Sequence, residues 1–402
     1  MAGVFERLVG QHDVVAELSD AAAAAREGDI GSRMTHSWLF TGPPGSGRSI
    51  AAVCFAAALQ CTDPVVVGCG ECRACTTTMH GTHGDVRRIV PQGLSISVKE
   101  MRDVVQMAAR RPTTGTWQIV VIEDADRLGE RAYNALLKAV EEPPERTLFL
   151  LCAPSVDPED IAVTIRSRCR HVALVTPKPE DIARVLREND GLDANTAEWA
   201  ASVGGGHVGR ARRLATDSEA RDRRQRALGI AKAALRPATQ YAVVEELVKA
   251  AEADSVQINA ERDERETEEL RTSLGAGGTG KGAAGALRGS AGVLKELEQR
   301  QKSRRTRTGR DSLDRALIDL AGLYRDALAQ SYGAVSTMTH PDMLDQARGL
   351  ASVASPESLL RCIEAILQCR EALSMNVKPQ FAVDAMVATL GAAGRPEAGR
   401  GN

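Results

Sequence analysis

Eight residues, Gly42-Pro43-Pro44-Gly45-Ser46-Gly47-Arg48-Ser49, constrain the fold more than any other stretch of this chain. Glycine and proline punctuate a chain rather than continue an element. Here they separate a short apolar run, His36 to Phe40, from an apolar helical run, Ile50 to Leu59. A buried strand, a glycine-rich turn and a helix form the P-loop arrangement. In that arrangement backbone N–H groups turn inward around phosphate oxygens, and the helix presents its positive end to them. Ser49 stands where a hydroxyl would hold Mg²⁺. The lysine position is taken by Arg48. An ammonium is a compact charge, whereas a guanidinium is a wide planar fork, so the loop is expected to keep its shape and to hydrolyse poorly.

The elements downstream extend the pattern. Helices are expected at Val14 to Glu27, Val98 to Ala109 and Arg131 to Glu142, and buried strands at Gln118 to Ile122 and Thr147 to Leu151. Strands alternating with helices predict a parallel sheet covered on both faces. The second strand runs into Glu123-Asp124, where ATP-hydrolysing P-loop proteins carry Asp then Glu. The exchange lengthens the metal-holding carboxylate and shortens the water-activating one. A misplacement of about 1 Å can cost roughly 100-fold in rate.

Cys61, Cys69, Cys72 and Cys75 fall within one short segment. Two overlapping Cys-x-x-Cys steps let thiolates from one turn face a single ion, and Cys61 closes a tetrahedron, the arrangement of a structural zinc site, with an iron–sulfur cluster as the alternative. His80 and His83 lie nearby and read as surface or turn residues. Cys54, Cys152, Cys169, Cys362 and Cys369 sit in apolar surroundings and read as core thiols.

Composition excludes several classes. A net charge of -2 leaves no global basic excess for autonomous nucleic-acid binding. No run approaches the roughly 18–20 apolar residues that span a bilayer, and the first residues lack the apolar core of a secretory signal, so a cytoplasmic location is expected. From Pro177 onward the apolar spacing is helical to the end of the chain. Domains are expected at 1–176, an α/β RecA-like core with its zinc module at 61–75, then a small helical lid at 177–215, then an all-α collar at 216–395. A flexible, charged and glycine-rich insertion at 260–310 is expected to interrupt the collar. It reads as two charged helical arms, acidic from Ala260 to Leu270 and basic from Lys295 to Arg310, flanking a flexible glycine-rich hinge from Gly275 to Gly292; the arms either lengthen two collar helices into an antiparallel arm or serve as a linker. The basic run is the better DNA-contact candidate, set against a solvated helix face. The cysteine module holds only Arg73, with Arg87 and Arg88 downstream, too little for a zinc-dependent DNA-binding module.

Leu8-Val9-Gly10-Gln11, the P-loop, the Cys69 to Cys75 cluster, Asn134 to Pro144 (NALLKAVEEPP) and Ser167-Arg168-Cys169 together resemble the bacterial clamp-loader branch of the AAA+ proteins. The resemblance is good over residues 1–215 and looser from 311 to 390. It implies an AAA+ subunit of a five-membered ring that places a sliding clamp on primed DNA. The motor type, gamma or tau, keeps a P-loop lysine, an Asp-Glu pair and a sensor threonine. Here those positions hold Arg48, Glu123-Asp124 and Cys152 to Ser155. These departures look more like the stator type, delta-prime, with motor subunits, a delta subunit, the clamp and primed DNA as partners. An active motor is the alternative. The resemblance implies that Arg168 is an arginine finger acting on a neighbouring subunit's ATP, with Arg166 and Arg170 close enough to share the role. It implies a degenerate nucleotide site at Gly42, Pro43, Pro44, Gly45, Ser46, Gly47, Arg48, Ser49, Glu123 and Asp124, with ATP and Mg²⁺ binding left open. Arg210 is the candidate for a second sensor.

Overall fold

The computed structural model describes residues 3–28, 33–236, 238, 240–274, 291–334 and 338–393. Contacts divide the chain into two units, Met1–Ala215 and Thr216–Asn402.

The first unit is built on five strands: β1 (Ser37–Thr41), β2 (Val86–Ile89), β3 (Gln118–Ile122), β4 (Thr147–Ala153) and β5 (Arg170–Ala173). They lie in the order β2-β3-β4-β1-β5, and every pair is parallel. The three central strands are buried along their whole length. Such strands have apolar side chains on both faces, which is why they read as continuous apolar runs. Trp38, Phe40, Ile119, Val121, Leu148 and Leu150 form one core with α1 (His12–Glu27) and α2 (Arg48–Gln60). Their neighbours Leu39, Val120, Ile122, Phe149 and Leu151 form the other with α4 (Val98–Ala108) and α5 (Glu130–Glu141). Every residue of α2 from Ala51 to Gln60 is buried. Its alanines bring the helix close to the sheet, and Phe55 meets Trp38 edge-on at 4.8 Å between ring centres.

The two edge strands carry charge. β2 exposes Arg87 and Arg88, and β5 begins with Arg170. Charged side chains on a sheet edge discourage pairing with another chain. They also broke the apolar pattern by which β1, β3 and β4 were recognised.

Between α2 and β2 the chain makes a tight cysteine turn and the short helix α3 (Arg73–Met79). A four-residue helix, α6 (Val163–Arg166), leads into β5. After β5, helices α7 (Pro179–Asp190), α8 (Ala194–Val203) and α9 (Val208–Thr216) pack around Ile182, Leu186, Ala197, Ala200 and Ala211.

The second unit is helical throughout its described residues: α10 (Ser218–Ala234), α11 (Gln240–Ser273), α12 (Ala291–Ser331), α13 (Leu344–Val353), α14 (Pro356–Ser374) and α15 (Pro379–Ala393). Its core joins Leu228, Val244, Leu317, Leu320, Tyr324, Ile366 and Val383. The charged arms of the insertion at 260–310 are helical, as expected, and do not interrupt the collar helices, since α11 runs to Ser273 and α12 starts at Ala291. They hold together because their facing polar groups pair. Asn259 donates to Thr308, Gln301 to the Asp263 carbonyl, and Arg304 bonds Asp263 and Glu266. The glycine-rich centre of the insertion, 275–290, lies outside the described residues.

Candidate functional site

The P-loop closes the C-terminal end of β1, where the ends of parallel strands open a crevice suited to ligands. Gly45 and Gly47 adopt φ of +91° and +95°, which only glycine takes at low cost. A Cβ on Gly45 would stand 2.5 Å from Cβ of His207, so the start of α9 seats directly on the loop. Gln11 fixes the loop from below. Its Nε2 donates to the carbonyls of Ser46 (3.2 Å) and Val175 (2.6 Å), and its Oε1 accepts from the Val175 N–H (3.2 Å).

Among the described residues, three buried polar atoms here have no hydrogen-bond partner: Ser46 Oγ, Arg48 Nη1 and Asp126 Oδ1. Buried donors without partners are uncommon, and they mark a place where a ligand group could bond. Burial and the neighbouring Asp124 hold the Asp126 carboxyl above its ordinary range. Cys152, at the end of β4, lies beside Ser49, with its thiol pushed up by burial. Ser46 and Arg48 thus fit a phosphate group.

The acidic side fits a metal poorly. Glu123 follows β3, and its carboxylate is taken by Arg88 of β2, which donates to one oxygen from Nε at 3.1 Å and from Nη2 at 2.6 Å. Asp124 adopts the left-handed region, φ 50° and ψ 55°, which re-aims the chain away from the strand direction. The sequence-based site includes Glu123 and Asp124 but misses both Arg88 and Asp126. Finding Arg88 would have required knowing that VRRI forms the strand beside β3.

The four cysteines converge. Their sulfur atoms all lie within 4.8 Å of one another, with Cys61 Sγ 3.7 Å from Cys69 Sγ and 3.9 Å from Cys72 Sγ. A tetrahedron with ~2.3 Å metal–sulfur bonds has sulfur atoms about 3.8 Å apart. The turn depends on Gly68 and Gly70 at φ +72° and +83°. Backbone N–H groups point at the sulfurs: Cys69 N to Cys61, Cys72 N to Cys69, and Cys75 N to Cys72, at 3.5, 3.3 and 3.4 Å. At Cys72 burial opposes ionisation, yet hydrogen bonds from Cys75 and Thr62 outweigh it and bring the thiol down to about 6, whereas burial pushes the Cys69 and Cys75 thiols up, so all four become thiolates only with a cation among them. Thiolates are the metal-binding form, so the site suits a soft or borderline cation. His80 is exposed, and His83 Nδ1 accepts from the Asp85 N–H; neither joins the cluster. Among the other cysteines, Cys54, Cys152, Cys362 and Cys369 are buried, and Cys169, partly buried, packs against the second core of the sheet.

The arginines of the SRC segment separate cleanly. Arg166 Nη1 donates to the Val156 carbonyl at 3.1 Å. Arg170 lies 4.9 Å over the Trp38 ring and bonds Glu17 and the Arg33 carbonyl at 2.7 Å each, so it is tied into its own fold. Arg168 is half-exposed. Its Nη1 donates to the Thr164 carbonyl at 2.7 Å and Ser167 Oγ at 3.3 Å, and its Nη2 pairs with Glu141 Oε1 at 2.7 Å. Arg210 lies in the first turn of α9, where its N–H donates to His207 Nδ1 at 3.3 Å.

Residues 22–178 match the family described as "DNA polymerase III, delta subunit". The tau subunit of DNA polymerase III from Bacillus subtilis is 35% identical over 167 residues, which are 41% of this chain and 28% of that protein. The delta' subunit from Pseudomonas aeruginosa is 35% identical over 186 residues, 44% of this chain and 55% of that protein. The chain therefore spans between about a quarter and just over half of the length of these curated relatives. A solved DNA polymerase III gamma-subunit-related protein from Thermotoga maritima aligns at 15% identity with a TM-score of 0.41, covering 94% of this chain and 100% of that one. No helix among the described residues is long and apolar enough to cross a membrane.

Proposed function

We propose that this chain is the stator subunit, delta-prime, of a DNA polymerase III clamp loader. The reading starts from the family match of residues 22–178 and from relatives of both the tau and delta' kinds. The observation that carries the choice between them is the pairing of Glu123 with Arg88, 2.6 Å apart, beside a P-loop whose lysine is Arg48. With its metal-side carboxylate engaged, the chain's own centre is not arranged for hydrolysis. It contributes instead by completing a ring of motor subunits and delta that places the sliding clamp on primed DNA.

In that ring Arg168 supplies positive charge to a neighbouring subunit's ATP as the γ-phosphoryl group leaves. Such a finger can be worth ~10³–10⁵ in rate. Arg168 suits the role because its side-chain contacts are confined to its own turn and Glu141, whereas Arg170, almost equally exposed, is tied to Glu17, the Arg33 carbonyl and the Trp38 ring. The cysteine cluster holds one structural Zn²⁺. Its ligand set is all thiolate and leaves no position for a reacting water.

The motor reading has one observation in its favour: the glycine loop keeps its shape, with unpartnered polar atoms facing inward. ATP turnover separates the two. Measured alone and in a loader assembled with motor subunits, delta, clamp and primed DNA, the isolated chain should be silent. Arg168→Ala should assemble normally and lower loader turnover by about 100-fold or more. Brisk hydrolysis by the isolated chain, or an unchanged loader with Arg168→Ala, would return the motor reading.

A further inference from the structure

Arg168 reaches solvent already gripped on one side. Its backbone is fixed, since its N–H donates to the Ile165 carbonyl at 3.0 Å in the turn that closes α6. Glu141 is equally fixed as the last residue of α5, which stops before Pro143-Pro144. The two elements pack against each other, and the pair bridges them. Both protons of Nη1 are used by Thr164 and Ser167, and Nη2 forms an ion pair with Glu141 at 2.7 Å. Among the described residues neither Nε nor Nη2 donates a hydrogen bond, and these are the donors an anion would meet.

We infer that Glu141 is the positioning residue for Arg168, a strut that orients the guanidinium so that its unused donors face the neighbouring subunit's phosphate. This inference rests on the finger reading above. Three contacts hold a side chain that otherwise carries large rotamer entropy, and a preorganised charge loses less on engaging its target. Glu141 does not touch the phosphate. It acts through Arg168 and remains paired while the finger is engaged, so removing it weakens the finger rather than releasing it.

The test uses the assembled loader with its motor subunits, delta, clamp and primed DNA. Assembly is scored first, then kcat and KM for ATP. Glu141→Ala should lower kcat by about tenfold with KM within about twofold, since a small misplacement of a charged group is costly in the transition state. Glu141→Gln, which keeps an acceptor oxygen, should recover part of the loss. Glu141→Ala added to Arg168→Ala should change nothing further, because the strut has nothing left to hold. If Arg168→Ala alone has no effect, the finger reading falls and this inference with it. If Arg168→Ala is severe but Glu141→Ala leaves kcat unchanged or raised, the strut is refuted and the finger stands. Failure of both Glu141 variants to assemble would also refute it, by making Glu141 an interface residue.

Discussion

Arg88 and Glu123 sit on neighbouring strands and share a single carboxylate oxygen, taken by Nε at 3.1 Å and Nη2 at 2.6 Å. The register of β2 and β3 places Arg88 opposite Val121, two residues before Glu123, so Arg88 reaches diagonally to a carboxylate just past the end of β3. A carboxylate held this way offers little to a metal ion, because binding would first require breaking two charge-assisted bonds.

Arg88→Ala should therefore free Glu123 and tighten Mg²⁺-dependent nucleotide binding several-fold, read with a fluorescent ATP analogue titrated with and without Mg²⁺. Both partners are partly exposed, 35% and 14%, so loss of the pair should cost no more than ~1 kcal/mol of stability. Equal binding by variant and parent, with or without Mg²⁺, would show that Glu123 does not face the metal position.

The cysteine cluster predicts one zinc per chain by elemental analysis. Cys72→Ser should lose most of that metal and lower the melting temperature, since binding to a site formed only in the folded state stabilises the fold. A variant that loses its zinc and melts like the parent would show that the ion is not structural.

Asp85 anchors the segment entering β3. It is buried and accepts from the N–H groups of Thr113, Thr114 and Gly115 and from both threonine hydroxyls, at 2.7–2.9 Å. Burial opposes its charge, but these donors outweigh it and hold the carboxyl far below the usual carboxylate range. Asp85→Ala should cost about 3 kcal/mol or more, because it strands several donors at once. The depressed pKa fixes the sign with pH. The stabilisation is present above the unfolded value near ~3.9 and fades as pH falls below it. The gap in melting temperature between parent and variant should thus be widest near pH 7 and measurably smaller, though not abolished, at pH 3.

His340 sets a second pH dependence, in the helical unit. It is buried. Its Nδ1 lies 3.0 Å from Arg224 Nη2, which can only donate, so Nδ1 accepts; its Nε2 then carries the proton and bonds the Asp319 carbonyl at 2.9 Å. Burial, aided by Arg224, holds its pKa below the ordinary value, although Asp319 and Asp326 pull the other way. Asp342 completes the surroundings by pairing with Arg224. The unfolded chain therefore binds the extra proton first, and stability should fall as pH drops below ~6.5. Thermal melts at pH 7.5 and 5.5 should show a loss that is much smaller in His340→Gln, and an equal loss in both would assign the effect elsewhere.

Much of the sheet was legible from apolar runs alone. Gln118–Ile122 is β3 to the residue, and β1 is displaced by one position from the run that announced it. The edges were not legible, because Val86-Arg87-Arg88-Ile89 and Arg170-His171-Val172-Ala173 carry charge where a central strand would be apolar. The cysteine site could be read from spacing because its ligands are close in sequence. The partners of Glu123 and Arg168 could not. Arg88 lies 35 residues from Glu123, and Glu141 ends α5 while Arg168 sits in the turn after α6. Only the strand order and the packing of α5 on α6 bring those charges together.

The paired far halves of α11 and α12 carry a mechanical implication. Asn259 meets Thr308, Asp263 meets Arg304, and Thr267 meets Gln301, like the teeth of a rack. Apolar helices can slide past one another by a turn and find new contacts of similar worth. Here a slip of one turn would set Arg304 against groups that cannot answer its charge, at the cost of a buried, unpaired ion. The two helices are therefore locked in step, and a displacement applied beyond Ser273 and Ala291 is carried to their base along about 30 Å of helix as a rigid push or twist.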